Sequence, residues 1–276
     1  MPIKHLLVHV DGVERSAPRL DLAVALARRF GARLTGLFAE TISLGASIVA
    51  RRSPQHLESA AREARSAFEA RTGAAGVAAE WWELAPGDYA DVVGATAICC
   101  RFADLVVFGQ REDGDDRVPE DLTERVLLDC GRPVLVVPSA GHHVEVGKRV
   151  LVVWNASRDA ARAVNDAIPL MQGAEEVEVL ALRQASSAGL GRMPPLDIVA
   201  HLAAHGIRCR YDRVVKEELG DHPGVVDVLL NHAFDLRADL TVMGAGYQEY
   251  ASPFLSRGRR TRELLRSMLT PVLLSH

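Results

Sequence analysis

Cysteine is scarce in this chain: Cys99, Cys100, Cys130 and Cys209 are the four in 276 residues, and none forms a C-x-x-C pair. That absence excludes redox and zinc motifs of that spacing. Adjacent Cys99 and Cys100 bridge one another only with strain. Beside Ala97, Ile98 and Phe102 they read as reduced, cytoplasmic core thiols, and no metal site is expected from them. Long apolar runs are also missing, since even "DVVGATAICC" is soon broken by Arg101 and Asp104. No stretch approaches the roughly eighteen apolar residues of a membrane span. The opening "MPIKHLLVHVDG" goes straight into an alternating strand without the charged, apolar and small-residue regions of a signal peptide, so a soluble protein is expected. Positive charge is not in excess either. A formal net charge of -4 provides no basic field to draw nucleic acid or acidic lipid, so any anion binding has to be local.

Catalytic signatures are missing as well. Ser16, Ser157 and Ser252 lie outside any G-x-S-x-G elbow, and no lysine follows a P-loop glycine. His9, His201, His205 and His232 each have a helix-face or core explanation. His142 and His143 lack further ligands at metal spacing and suit a linker.

What the chain does contain is a repeat of half its own length. "HLLVHVDGVERSAPRLDLAVALA" matches "RVLVVWNASRDAARAVNDAIPLM", each an apolar strand, a polar turn and an amphipathic helix. "ADLVVFGQ" parallels "ADLTVMGAG", and "ERVLLDCGRPVLVVPS" parallels "RELLRSMLTPVLLSH". The matches keep their order at offsets of 144, 135 and 138 residues, which places small insertions and deletions in loops. Between the copies, "SAGHHVEVG" has linker composition. The repeat predicts two domains, residues 1–140 and 147–276, with the boundary near residue 145.

Near-continuous apolar strands alternating with helical segments point to an α/β class fold in each copy, a parallel sheet with helices on both faces. In the second copy the pattern predicts strands over Arg149–Trp154, Glu176–Leu182, Cys209–Val215, Ala238–Met243 and Pro271–Leu274. Helices are predicted over Arg158–Met171, Pro195–His205, Pro223–Leu236 and Arg260–Met268. The first copy follows the same course with an added helix, "PQHLESAAREARSAFEARTG", rich in good helix formers. Right-handed crossovers then place a functional crevice where the strand order reverses, beyond strands one and four. Asn155 and Gly244 meet at one such crevice, Asp11 and Gly109 at the other.

At these residues the chain resembles the universal stress protein family in its tandem bacterial form, over nearly its whole length. "VLVVWNASRDAARAV" and "RTRELLRSMLTPVLLSH" are the most specific segments. The resemblance implies two Rossmann-like domains of five parallel strands each, related to the adenine nucleotide alpha hydrolases. It also implies ATP or another adenine nucleotide as ligand, with Mg2+ only alongside the nucleotide. Family members that bind ATP carry Gly, two residues, Gly, nine residues, Gly and then Ser or Thr after strand four. Such glycines let backbone N–H groups approach phosphates, and the last opens a helix whose N-terminus favours negative charge.

The second copy carries this motif altered. Gly244 takes the first position, Tyr247 stands three residues on with Gly246 one early, and thirteen residues separate Gly244 from Gly258 where the family has twelve. Arg259 replaces the hydroxyl residue, and Thr261 is the nearest hydroxyl in the closing helix. The candidate set is therefore Asn155, Ala156 and Ser157 after strand one, Met243, Gly244, Ala245 and Gly246 after strand four, and Gly258, Arg259, Arg260 and Thr261 at the closing helix. The arginines have two readings, phosphate ligands through a forked donor pair or solvated helix-surface residues. Asn155 likewise reads as an adenosine contact or as a turn former.

The first copy retains Asp11 but follows strand four with Glu112, Asp113, Asp115 and Asp116, which repel a triphosphate. No ATP site is expected there. The acidic stretch 112–121 lacks calcium-loop spacing and suits a solvated loop, although oxygen ligands for Ca2+ or Mg2+ are abundant.

A stress-response binding protein with a nucleotide in its second half is the leading expectation, with ATP hydrolysis at most slow. The alternative is a protein-interaction scaffold without nucleotide. A nucleotide hydrolase or electron-transfer flavoprotein type of enzyme has no matching catalytic set. The closing strands, Pro133–Pro138 and Pro271–His276, are expected to cover each other's edges as an internal pseudo-dimer, and by resemblance a homodimer is also possible.

Overall fold

The computed structural model describes residues 2–44, 47–51, 53–112, 117–183, 197–215, 224–245 and 259–276. Its packing divides into two compact units: Met1–Glu145 with Leu265–Leu269, and Val146–Leu264 with Thr270–His276.

Unit 1 contains β1 (His5–Val10), α1 (Val13–Phe30), β2 (Arg33–Phe38), β3 (Ser43–Leu44), β4 (Ser47–Arg51), α2 (Pro54–Ala75), β5 (Ala79–Glu83), α3 (Tyr89–Cys100), β6 (Leu105–Gly109), α4 (Leu122–Asp129) and β7 (Val134–Val137). Five of its strands form a parallel sheet in the order β7-β6-β1-β2-β5. The six residues of β1 and the four of β7 are all buried, as expected of parallel strands covered on both faces.

Unit 2 contains β8 (Arg149–Trp154), α5 (Arg158–Met171), β9 (Glu176–Arg183), α6 (Ile198–Ala204), β10 (Arg210–Val215), α7 (Val225–Asp235), β11 (Leu240–Gly244), α8 (Arg259–Ser267) up to Leu264, and β12 (Val272–Ser275). Its parallel sheet has the order β10-β9-β8-β11-β12. Both sheets are thus doubly wound, with the order reversing between the first and fourth strands.

Local sequence explains the element boundaries. Ser53 accepts a hydrogen bond from the His56 N–H, and Pro54 opens α2, a combination that suits a helix start. Along α2 the buried Leu57, Ala61, Ala64, Phe68 and Thr72 recur at helical spacing. The predicted second-copy helix over Pro195–His205 is shorter as α6: Asp197 caps it by accepting from Val199 N at 2.8 Å, and residues 195–196 lie outside the described set. The last strand starts one residue late because Pro271 has no N–H for the ladder; its carbonyl still accepts from Thr241 N at 2.9 Å. The antiparallel pair of β3 and β4 was not anticipated, because a strand of two residues carries too little alternation to read.

Two of the four thiols are core groups, and Cys99 and Cys209 are half-buried. All four cysteines are free, and Cys100 and Cys130 are buried. Burial pushes each thiol above its ordinary range, Cys100 furthest, so none is an activated thiolate.

His5 makes the fold sensitive to acid. Its Nδ1 lies 2.6 Å from the Phe102 carbonyl and its Nε2 2.8 Å from Thr35 Oγ1. A neutral ring satisfies both by donating from Nδ1 and accepting at Nε2. Burial, opposed by the Phe102 carbonyl, holds its pKa below the ordinary 6.5. The unfolded chain therefore takes the proton first as pH falls. Stability is full above about pH 6.5 and declines as pH drops through the folded pKa. Urea unfolding at pH 7.5 and 5.5 is expected to show this loss, and His5→Gln to reduce it.

Candidate functional site

In unit 1 the crevice lies beyond the carboxyl ends of β1 and β6, and the protein's own side chains fill it. Asp11 follows β1 and is buried; Arg19, two turns into α1, is only 3% exposed. Arg19 Nη2 donates to Asp11 Oδ1 and, at 2.7 Å, to Ser16 Oγ. The Ser16 hydroxyl in turn donates to Asp11 Oδ1 at 3.2 Å. The guanidinium lies against Gly109 at the end of β6, where a β-carbon would sit 3.0 Å from Arg19 Cζ. A second arginine, Arg117, has its Nη1 2.7 Å from the position of a β-carbon on Gly12. Its backbone is tied in place, since the Arg117 carbonyl accepts from Thr41 N at 2.8 Å.

Burial, then the like charge of Arg117, pushes Arg19 down to about 9, with Glu112 opposing. Arg19 thus stays cationic at neutral pH, and the buried Asp11 carboxylate has its counter-ion. Repulsion by an acidic loop is the reason the sequence offers for expecting no ATP site in the first copy. Of that loop, Asp113, Asp115 and Asp116 lie outside the described residues, and the filling of the crevice by Arg19 is a separate, steric reason.

In unit 2 the corresponding crevice lies beyond β8 and β11. Asn155 is exposed, and its Oδ1 accepts from Ser157 N at 3.1 Å. Ala156 takes a left-handed φ of 57°, and Ser157 caps α5 by accepting from Ala160 N at 3.1 Å. Asn155, Ala156 and Ser157 therefore build the turn into α5. Gly244 packs on the first turn of that helix: a β-carbon would meet Ala160 N at 2.5 Å and the Asp159 carbonyl carbon at 2.6 Å. The close approach of two backbones requires glycine here.

Other candidate groups are also engaged in the fold. Ala245 N donates to the Ser275 carbonyl at 2.9 Å, and buried Thr261 donates from Oγ1 to the Ala245 carbonyl at 2.5 Å. Met243 packs against the cluster of Leu151, Val153, Leu180 and Leu229. Arg259 and Arg260 open α8. Gly246 and Gly258 lie outside the described residues. Asp159, buried in the first turn of α5, places a carboxylate in the helix-terminal field that would otherwise favour a bound anion. His276 Nδ1 lies 3.4 Å from its Oδ2.

The two copies differ in a coupled way. At the same offset, Asp11, Ser16 and Arg19 correspond to Asn155, Ala160 and Ala163. Where the first copy buries an ion pair, the second has neither charge. Arg19 escaped the sequence reading, since an arginine on an amphipathic helix ordinarily faces solvent; the missing signal was its joint loss with the aspartate.

Each unit is a doubly wound α/β domain of the class that takes ligands beyond its strand ends. Over the whole chain the fold is that of the tandem universal stress proteins. The crystal structure of a universal stress protein from Archaeoglobus fulgidus DSM 4304 matches 98% of this chain and 95% of its own, with 19% identity and a TM-score of 0.72. A putative universal stress protein from Pseudomonas aeruginosa UCBPP-PA14 matches 99% and 93%, with 17% identity and a TM-score of 0.57. No protein-family model matches the chain, and no curated protein does. Among the described residues, no helix is long and apolar enough to cross a membrane.

Proposed function

We propose that this chain is a cytoplasmic stress-response protein of the universal stress family, with domains over 1–140 and 147–276, that acts by binding rather than by catalysis. Unit 2 takes one adenine nucleotide, with Mg2+ only as its counter-ion, and unit 1 takes none. The observation that carries this asymmetry is the exchange of Arg19 for Ala163. The guanidinium that fills the first crevice has no counterpart on α5, and the exposed Asn155 side chain keeps its amide donor for a base or ribose. Arg259 and Arg260, which open α8, are the proposed phosphate ligands, since a guanidinium offers a forked pair of donors.

Calorimetric titration with ATP is expected to give one saturable site per chain. Asn155→Ala should weaken it about tenfold, the equivalent of roughly one hydrogen bond to ligand. No heat at millimolar ATP would leave the scaffold reading, which the engagement of Ala245 N–H and the Thr261 hydroxyl within the fold supports.

A further inference from the structure

At the amino-terminal end of the unit 2 sheet, opposite its crevice, a polar, partly exposed pocket borders the core. The face of the sheet beneath α7 is apolar through Leu151, Val153 and Leu180, which pack with Leu229 and Ala233 of α7. One strand period before Leu180, β9 carries Glu178 on this face, and Glu176 precedes it. Carboxylates beside an apolar cluster need compensation. Glu176 has it twice, from Arg149 Nη1 at 3.3 Å and from Arg210 Nη2. Glu178 faces a different set: His232 Nδ1 of α7 lies 3.2 Å from its Oε1, and Asp212 of β10 completes a trio whose ligand atoms all lie within 4.8 Å of one another. The adjoining cavity, about 350 Å³, opens between Glu178, His232 and Asp235.

We infer that Glu178, Asp212 and His232 form a binding site for a first-row divalent cation of the Zn2+ type. Three elements converge one imidazole nitrogen and two carboxylate oxygens, a set that suits Zn2+, Co2+, Ni2+ or Mn2+ rather than a soft monovalent ion. Tetrahedral zinc, with bonds of about 2.0–2.1 Å, holds neighbouring ligand atoms about 3.3 Å apart. The Nδ1–Oε1 separation already meets that spacing. The pocket leaves room for a water in the fourth position. Two arginines stand against four carboxylates, Glu176, Glu178, Asp212 and Asp235, so the site keeps a net negative charge that a cation would balance. This site is independent of the nucleotide reading.

Exposed His201 on α6 and His205 just beyond its end, with rings 4.9 Å apart, are a competing chelating pair. The test therefore uses the full chain, free of any tag and stripped with chelator, carrying His201→Gln and His205→Gln. Titration with Zn2+, and with Co2+ followed by its visible absorption, is expected to give one ion per chain with a Kd on the order of 1 µM. Asp212→Asn, at an exposed position, and His232→Gln should each weaken it about tenfold or more, with metal-free circular dichroism unchanged. No binding at about 100 µM Zn2+, or equal affinity in the Asp212→Asn protein, would overturn the assignment. If His232→Gln fails to fold, the Asp212→Asn protein still decides.

Discussion

Replacing Arg19 with methionine is expected to destabilise unit 1 by about 3–5 kcal/mol, the cost of breaking a buried ion pair by removing one member. Asp11 is 2% exposed and Arg19 3%, so solvent screens little of the attraction that is lost. The second substitution Asp11→Asn, in the same chain, should restore most of the loss, because an uncharged pair of similar volume removes the penalty along with the attraction. The chain itself carries a precedent: at the matching positions unit 2 has Asn155 and Ala163. Urea unfolding followed by tryptophan fluorescence checks this. Trp81 and Trp82 lie on β5 of unit 1, and Trp154→Phe silences the tryptophan of unit 2. Equal stability of the single and double variants would show that the ion pair is not the element closing the crevice.

Gly244→Ala is expected to destabilise unit 2 by about 2–3 kcal/mol, at the upper end for overpacking. The new methyl group would meet Ala160 N and the Asp159 carbonyl carbon, backbone atoms of α5 that no rotamer change can move away. Relief requires sliding the helix, whose buried Ala160, Ala163, Val164 and Ala167 are already close-packed. Unfolding followed by Trp154 fluorescence measures the loss. The same contact changes what this glycine means. At the first position of a phosphate-loop pattern, Gly244 is explained by helix–strand packing with no ligand present, so Asn155→Ala is the sharper probe of nucleotide binding.

The sheets were readable because their inner strands are buried on both faces, which leaves mostly apolar runs such as "LLVHV" and "VLVVW". Helix starts were readable where a cap is local, as at Ser157. Arg19 was not readable, because its burial depends on Gly109, ninety residues away, and periodicity alone places an arginine at the surface. Gly244 matched a motif for a reason that only the approach of α5 discloses. His232 had a helix-face explanation until β9 and β10 brought Glu178 and Asp212 to it. In each case the deciding contact is made across elements distant in sequence, where composition and spacing carry no signal.

We propose that the two copies have diverged, with the first crevice closed by its own guanidinium and the nucleotide taken by the second. Photolabelling the native protein with an azido-adenine nucleotide, followed by peptide mapping, tests it most directly. The account predicts label competed away by ATP and confined to peptides of 147–276. Competable label on peptides carrying Asp11, Arg19 or Gly109 would contradict it.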